Sequence, residues 1–267
     1  MKYLRIRQWK YVQELYAYRE LFYFLIWREL KVRYKQTLIG WSWTFIQPFL
    51  TMVVFSFVFG TLLALPSNNI PYPIFLYTGL IYWNFFARAV TSSMDSLTGN
   101  HMLIRNVYFP KIILPMISVF VNIVDFISSL VILFFLIILF GVRIHIEGLF
   151  IIPLALVNII FLSMGIGAIL SVLNAAYRDI RFIVPYVLQV LLFLTPIIYP
   201  QKLAQQYSSL LLLNPLAGCV EIVREFLFGA PFTHMEGFII SFAISGVILI
   251  VGVLFFEIKE KKIIDRI

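Results

Sequence analysis

Charge is scarce in this chain. Of 267 residues only 13% are Asp, Glu, Lys or Arg, against roughly 25% in soluble domains. A soluble fold of this length cannot cover its surface with so few charges, so lipid must be the solvent for most of it. Acidic residues are scarcer still, 13 against 21 basic, which leaves a net charge of +8. In a soluble domain that value would point to nucleic acid. Here the charge is confined to ends and loops, so topology and anionic lipid account for it and no nucleic acid is expected. Cysteine is reduced to Cys219, which excludes an intramolecular disulfide and a cysteine-cluster metal site. There is no G-x-x-x-x-G-K-[ST] and no H-E-x-x-H, so the chain binds no nucleotide through a P-loop. His101, His145 and His234 fall in different loops and read as ordinary polar residues rather than metal ligands or bases. No catalytic constellation emerges, and no metal or cofactor is expected. Residues 1–35 are too charged and aromatic for a secretory signal.

What the chain does have is apolar surface: 61% of it is hydrophobic and 17% aromatic, with a mean hydropathy of +0.94. The sharpest feature is a junction. Arg28 to Gly40 reads R-E-L-K-V-R-Y-K-Q-T-L-I-G and runs directly into the uncharged W-S-W-T-F-I-Q-P-F-L. A cation-rich segment meeting a charge-free one marks a membrane boundary with its basic side cytoplasmic.

Hydropathy and breakers predict an all-α polytopic membrane protein with six spans, about 41–65, 72–90, 112–141, 149–175, 182–199 and 237–256. Residues 1–40 form a cytoplasmic N-terminal segment whose mixed aromatic and charged helix lies along the inner interface. Residues 41–257 form one membrane domain, and 258–267 a cytoplasmic tail. Arg88 to Lys111 reads as a polar loop. Between the last two spans, Leu203 to Leu213 and Leu216 to Phe228 flank the breaker Asn214-Pro215; each is too short to span, so two re-entrant helices are expected near 203–228. Eighteen of the 21 basic residues then fall on one side, leaving Arg143, Lys202 and Arg224 on the other. That asymmetry places both termini in the cytoplasm.

Three groups of residues are candidates for function. Asp125 sits near the middle of the third span with Asn122 one turn earlier; a carboxylate there costs roughly 2.5–3.5 kcal/mol. It is either a proton relay or channel-lining group, or a structural hydrogen-bonding partner of Asn122 or a backbone carbonyl. The absence of a second buried charge favours the structural role. Trp41, Phe45 and Phe49 recur at i, i+4, i+8 on the first span, and Tyr186, Gln189 and Phe193 share the fifth. Flat rings with an occasional amide suit a sliding sugar chain, though packing or lipid contact explains any one of them equally well. Arg28, Lys31, Arg33 and Lys35 suit either phosphate or anionic lipid.

The wording of five segments, in order, resembles the permeases of polysaccharide-exporting ABC transporters. These are R-E-L-K-V-R-Y-K-Q-T-L-I-G-W-S-W at 28–43, G-L-I-Y-W-N-F-F at 79–86, N-x-x-L-I-R-N-V-Y-F-P-K-I-I-L-P at 100–115, N-A-A-Y-R-D-I at 174–180, and T-P-I-I-Y-P at 195–200 followed by N-P-L at 214–216. The resemblance implies a bacterial cytoplasmic (inner) membrane location, a homodimer, and two copies of a separate cytoplasmic ABC ATPase that binds ATP and Mg. The cargo it implies is a lipid-linked polysaccharide, here an O-antigen, with capsule or teichoic acid as alternatives. Asn100, Leu103, Ile104, Arg105, Asn106, Tyr108 and Lys111 would couple to the ATPase, with Arg178 and Asp179 in a second contact. The first and fifth spans would line the channel. The rival classes are an integral membrane glycan-modifying enzyme and an ion-coupled transporter working through Asp125.

Overall fold

The computed structural model describes residues 16–35, 43–207, 211–229 and 235–264. Every regular element among them is a helix. These are α1 (Arg19–Lys35), α2 (Trp43–Phe55, continued by a wider π-helical stretch, Ser56–Leu62), α3 (Tyr72–Gly99), α4 (His101–Asn106), α5 (Ile113–Leu139), α6 (Ile146–Ala176), α7 (Ile180–Leu194), a 3₁₀ stretch (Gln201–Tyr207), α8 (Pro215–Phe228) and α9 (Met235–Ile264). The all-α expectation holds. Four stretches are long and apolar enough to cross a membrane: Phe45–Leu62, Ile113–Leu139, Ile146–Ala176 and Met235–Glu260.

The longest departure from hydropathy is α3. It has 28 residues, yet it is not among those four. The reason is its position. It lies at the centre of the bundle between α5 and α6, and Ile74, Phe75, Leu76 and Tyr77 are fully buried. Protein rather than lipid surrounds it, so polar side chains are tolerated where they find partners. For the same reason the expected loop from Arg88 is corrected: residues 88–99 continue the helix. Their hydroxyls are satisfied locally, Thr91 donating to the Ala87 carbonyl, Ser92 to Arg88 and Thr98 to Asp95, while Ser93 donates across to Pro115 on α5.

α6 carries the second half of the bundle, packing on α9 and α8 as well as α3. Gly165 and Gly252 let α6 and α9 cross closely: a Cβ on either would strike the other helix's backbone. Small residues at such a crossing are what permits tight helix association in lipid. α7 stops at Leu194 because Thr195 precedes Pro196, which drives it to extended backbone (ψ 138°).

α8 confirms the short helix expected after Asn214-Pro215. The Asn214 side chain accepts from the Leu216 N–H, Pro215 opens the helix, and left-handed Gly229 (φ 73°) closes it. Its expected companion over Leu203–Leu213 differs: Gln201–Tyr207 is a 3₁₀ stretch, and 208–210 lie outside the described residues. The tail expected from 258 is helical to Ile264, as a continuation of α9. α1 rests on α5 through Phe22 and Phe120, whose rings meet edge-on at 5.4 Å, and through buried Leu25. Tyr16, Tyr23, Phe24 and Trp27 stay exposed, an aromatic face of the kind that sits at membrane–water interfaces.

Candidate functional site

Four constellations stand out, and the first is at the α3–α5 connection. Lys111 is buried. Its ammonium donates to the carbonyls of Ile104 (3.3 Å) and Val107 (3.0 Å) at the end of α4, and it lies 4.2 Å from the Phe109 ring centre. Its backbone N–H donates to Glu260 Oε1 on α9 at 3.0 Å. Burial pushes the Lys111 ammonium below its ordinary range, with the Glu260 carboxylate opposing. A lysine clamping the last carbonyls of a helix satisfies groups that would otherwise be orphaned. The clamp divides the expected coupling residues. Ile104 and Lys111 face inward; Leu103 is half-buried; Arg105, Asn106 and Tyr108 face outward, Tyr108 being 85% exposed. Asn100 ties the segment to α1, accepting from Arg28 at 2.6 Å. Arg178 and Asp179 are exposed in the turn between α6 and α7. That turn is held to α3 by Asn174, which donates to the Met94 carbonyl and to Asp95, both at 3.1 Å.

The second is built on Asp125. Its carboxylate accepts from Arg33 (3.1 Å), Arg88 (3.3 Å) and the Tyr34 hydroxyl (2.5 Å). Arg33 also donates to Asn122 Oδ1 at 3.1 Å, Arg88 donates to Gln47 on α2 at 2.9 Å, and Asn122 donates to Ser92 at 3.0 Å. The acid is therefore not alone. The expectation of a lone acid with no second buried charge is corrected by two half-buried arginines, one on α1 and one on α3. Asn122 is a fellow acceptor of Arg33 rather than the sole partner. Of the four basic candidates at the junction, Arg33 turns inward to this network and Arg28 to Asn100. Lys31 lies over the Trp27 ring at 5.6 Å, and Lys35 is exposed.

The aromatic candidates fall on the two least enclosed helices. On α2, Phe45 is half-buried and Phe49 exposed; Trp41 lies outside the described residues. On α7, Tyr186, Gln189 and Phe193 are exposed, and only Val184 and Leu188 are buried. Both helices pack on α3, α2 also on α5 and α7 also on α6. They flank the central helix, with Phe49, Tyr186 and Phe193 exposed.

The fourth constellation was missed from sequence, where Arg224 served only as a charge to be counted. Glu221, Arg224 and Glu225 on α8 are all buried. Arg224 donates to the carbonyls of Phe75 (2.9 Å), Pro196 (2.9 Å) and Ile197 (2.7 Å) and pairs with Glu221 at 3.2 Å. Its guanidinium lies 3.6 Å from the Phe75 ring centre. Gly79 leaves it room, since a Cβ there would sit 2.8 Å from Nη2. Tyr72 donates to the Ile198 carbonyl and Asn214 to Thr195 Oγ1. The segments around 75–79 and 195–200 thus meet on one arginine, and Asn214 joins them through Thr195. Three charges at i, i+3, i+4 in the otherwise apolar Leu216–Phe228 were the available signal.

Comparison with known proteins gives a consistent picture. The sequence matches the ABC-2 type transporter family over residues 20–228. It is 28% identical to the O-antigen export system permease protein RfbA of Myxococcus xanthus over 96% of this chain and 98% of that protein. It is also 28% identical to a protein of the same name from Klebsiella pneumoniae, over 86% of this chain and 88% of that protein. The polysialic acid transport protein KpsM of Escherichia coli is 25% identical over 74% of this chain and 77% of its own length.

Proposed function

The chain belongs to the ABC-2 type transporter family, and from that premise we propose that it is the membrane-spanning permease subunit of an ATP-driven exporter that moves a polysaccharide across the bacterial inner membrane. The names of the relatives covering most of the chain support an O-antigen type cargo, which we take to be carried on a lipid; a capsular polysaccharide is the alternative, supported by the similarity to a polysialic acid transport protein. Six spans are formed by α2, α3, α5, α6, α7 and α9, with α8 re-entering from the outer side and both termini cytoplasmic. α3 and α7 add to the four strongly apolar stretches because α3 is sheathed in protein and the 195–200 segment extends α7. A second copy and two ATPase subunits complete the machine, and ATP and Mg belong to those subunits.

The observation that carries the ATP-driven part is the clamped segment 101–108. Met102 on α4 and Val107 and Tyr108 directly after it are exposed apolar groups, and the end of the helix is fixed from behind by Lys111. An exposed apolar knob on a rigid mount is suited to a partner's groove. Force applied there passes to α3 and α5, which meet at the Asp125 network, and onward through Arg88 and Gln47 to α2. The aromatic faces of α2 and α7 are where a sugar chain slides, flat rings stacking on apolar sugar faces without a deep site. No bond is made or broken in this chain. The proton-relay reading loses support, because the Asp125 oxygens are already engaged by two guanidiniums and a phenol.

Co-expression with the ATPase encoded beside it tests the reading. A stable complex whose loss abolishes surface glycan is expected; no complex under any condition would sink it.

A further inference from the structure

At the end of the bundle opposite α1 and α4 lies a cavity of about 830 Å³, within the range of small-ligand sites. Its floor is α8, with Glu221, Arg224 and Glu225; its walls are the turn at 66–70 and the 3₁₀ stretch, which contribute Asn68, Asn69, Gln201 and Lys202; Phe228 closes one side. Asn68 and Asn69 both adopt left-handed backbone (φ 51° and 62°). Asparagine is among the few residues that tolerate it, so the turn presents two amides in succession at the rim.

The chemistry of this lining narrows its occupant. Arg224 is engaged by three carbonyls and Glu221, so its charge is committed to the protein. Glu221 neutralises that guanidinium, which leaves the Glu225 carboxylate as the excess charge of the floor and the Lys202 ammonium at the rim. A phosphate or a polyanion meets repulsion from the floor. A metal ion finds too few ligands: no group of three His, Cys, Asp or Glu able to hold one exists among the described residues. A purely apolar ligand would strip water from carboxylates and amides at a cost of several kcal/mol. What fits is a hydroxyl-rich, uncharged molecule: carboxylates and amides pair with neighbouring hydroxyls, and a phenyl ring takes the apolar face of a sugar.

The geometry points to an exit site that holds neutral sugar units of the exported chain. This deepens the exporter reading and rests on it. Held there by a few hydrogen bonds, the leading units are kept from sliding back between catalytic cycles of the partner. The site selects uncharged glycan over polyanionic glycan at the outer face.

Cys219 is buried, so a cysteine placed at the rim is selectively reachable. Asn69→Cys, carried in the full exporter, is labelled from outside with a membrane-impermeant maleimide in cells that make their surface glycan and in cells blocked in its synthesis. Occupancy of half or more slows labelling about twofold or more in the producing cells, by mass action. Ile146→Cys, exposed at the same end and outside the cavity, should label equally in both. Equal rates at Asn69→Cys while surface glycan still depends on the chain would overturn the site and leave the exporter standing. Surface glycan independent of the chain would overturn the exporter reading itself. With the purified complex, maltoheptaose should protect Asn69→Cys and a heparin hexasaccharide should not; equal protection by both would overturn the selection for neutral sugar.

Discussion

The two arginine clusters of this bundle solve the same problem in opposite ways. At the Asp125 end, two guanidiniums meet one carboxylate, and their hydrogen bonds among the described residues join one side chain to another across α1, α2, α3 and α5. Both arginine side chains keep 30% of their surface exposed. At the α8 end, Arg224 is 2% exposed and its links run to backbone carbonyls of α3 and the 196–197 segment. Side chains can swing apart and re-pair; carbonyls move only when the backbone does. The Asp125 cluster can therefore be remade by side-chain rotation alone, whereas the Arg224 cluster changes only with its backbone.

The hardest blow to this contrast would fall at Arg224. Arg224→Ala leaves Glu221 buried without its cation and should cost about 3–5 kcal/mol, read as lost membrane abundance and a lower unfolding temperature in detergent. Arg224→Lys should not rescue it, because an ammonium cannot span three carbonyls; full stability of that variant would show that the cluster is not anchored to backbone. Gly79→Val pushes into the same guanidinium and into Ile197, and should cost about 1–3 kcal/mol from overpacking by the same two measurements. At the inner cluster, Asp125→Asn should depress export more than abundance. Combining it with Arg88→Gln should recover part of the loss, with a coupling of the order of 1 kcal/mol for groups in one network. Equal falls in export and abundance, with no recovery, would make the inner cluster as static as the outer. Smallest in stability is Tyr108→Ala, within about 0.5 kcal/mol for an exposed side chain. Its effect should appear in pull-down of the ATPase subunit, and unchanged recovery would remove Tyr108 from the contact.

Much of the fold was legible because lipid imposes a simple rule on exposed helices. α2, α5, α6 and α9 face outward enough for hydropathy to find them. α3 escaped its true length because residues 88–99 look inward, where hydroxyl-to-carbonyl bonds make polarity tolerable. The 100–111 segment stands out in the sequence as one stretch, but its division into a clamped and an exposed part depends on which way Lys111 turns. Asp125 was visible as an anomaly, whereas its partners were not: Arg33 lies 92 residues away, and no local pattern joins the two. Arg224 was hidden because a lone basic residue in an external segment is compatible with the topology rule and conflicts with nothing around it. Asn214-Pro215 was read correctly because capping is local chemistry.

The bond between the Lys111 backbone and Glu260 joins positions 149 residues apart, so it imposes an order on biosynthesis. The segment proposed to meet the ATPase leaves the ribosome long before the helix that supports it. At synthesis rates of about 5–20 residues per second, the segment waits on the order of ten seconds for α9. A chain cut short before residue 260 lacks one support of the 101–111 segment. The mount of that segment is thus finished only when residues far downstream have been made, a timing written into the distance between two residues.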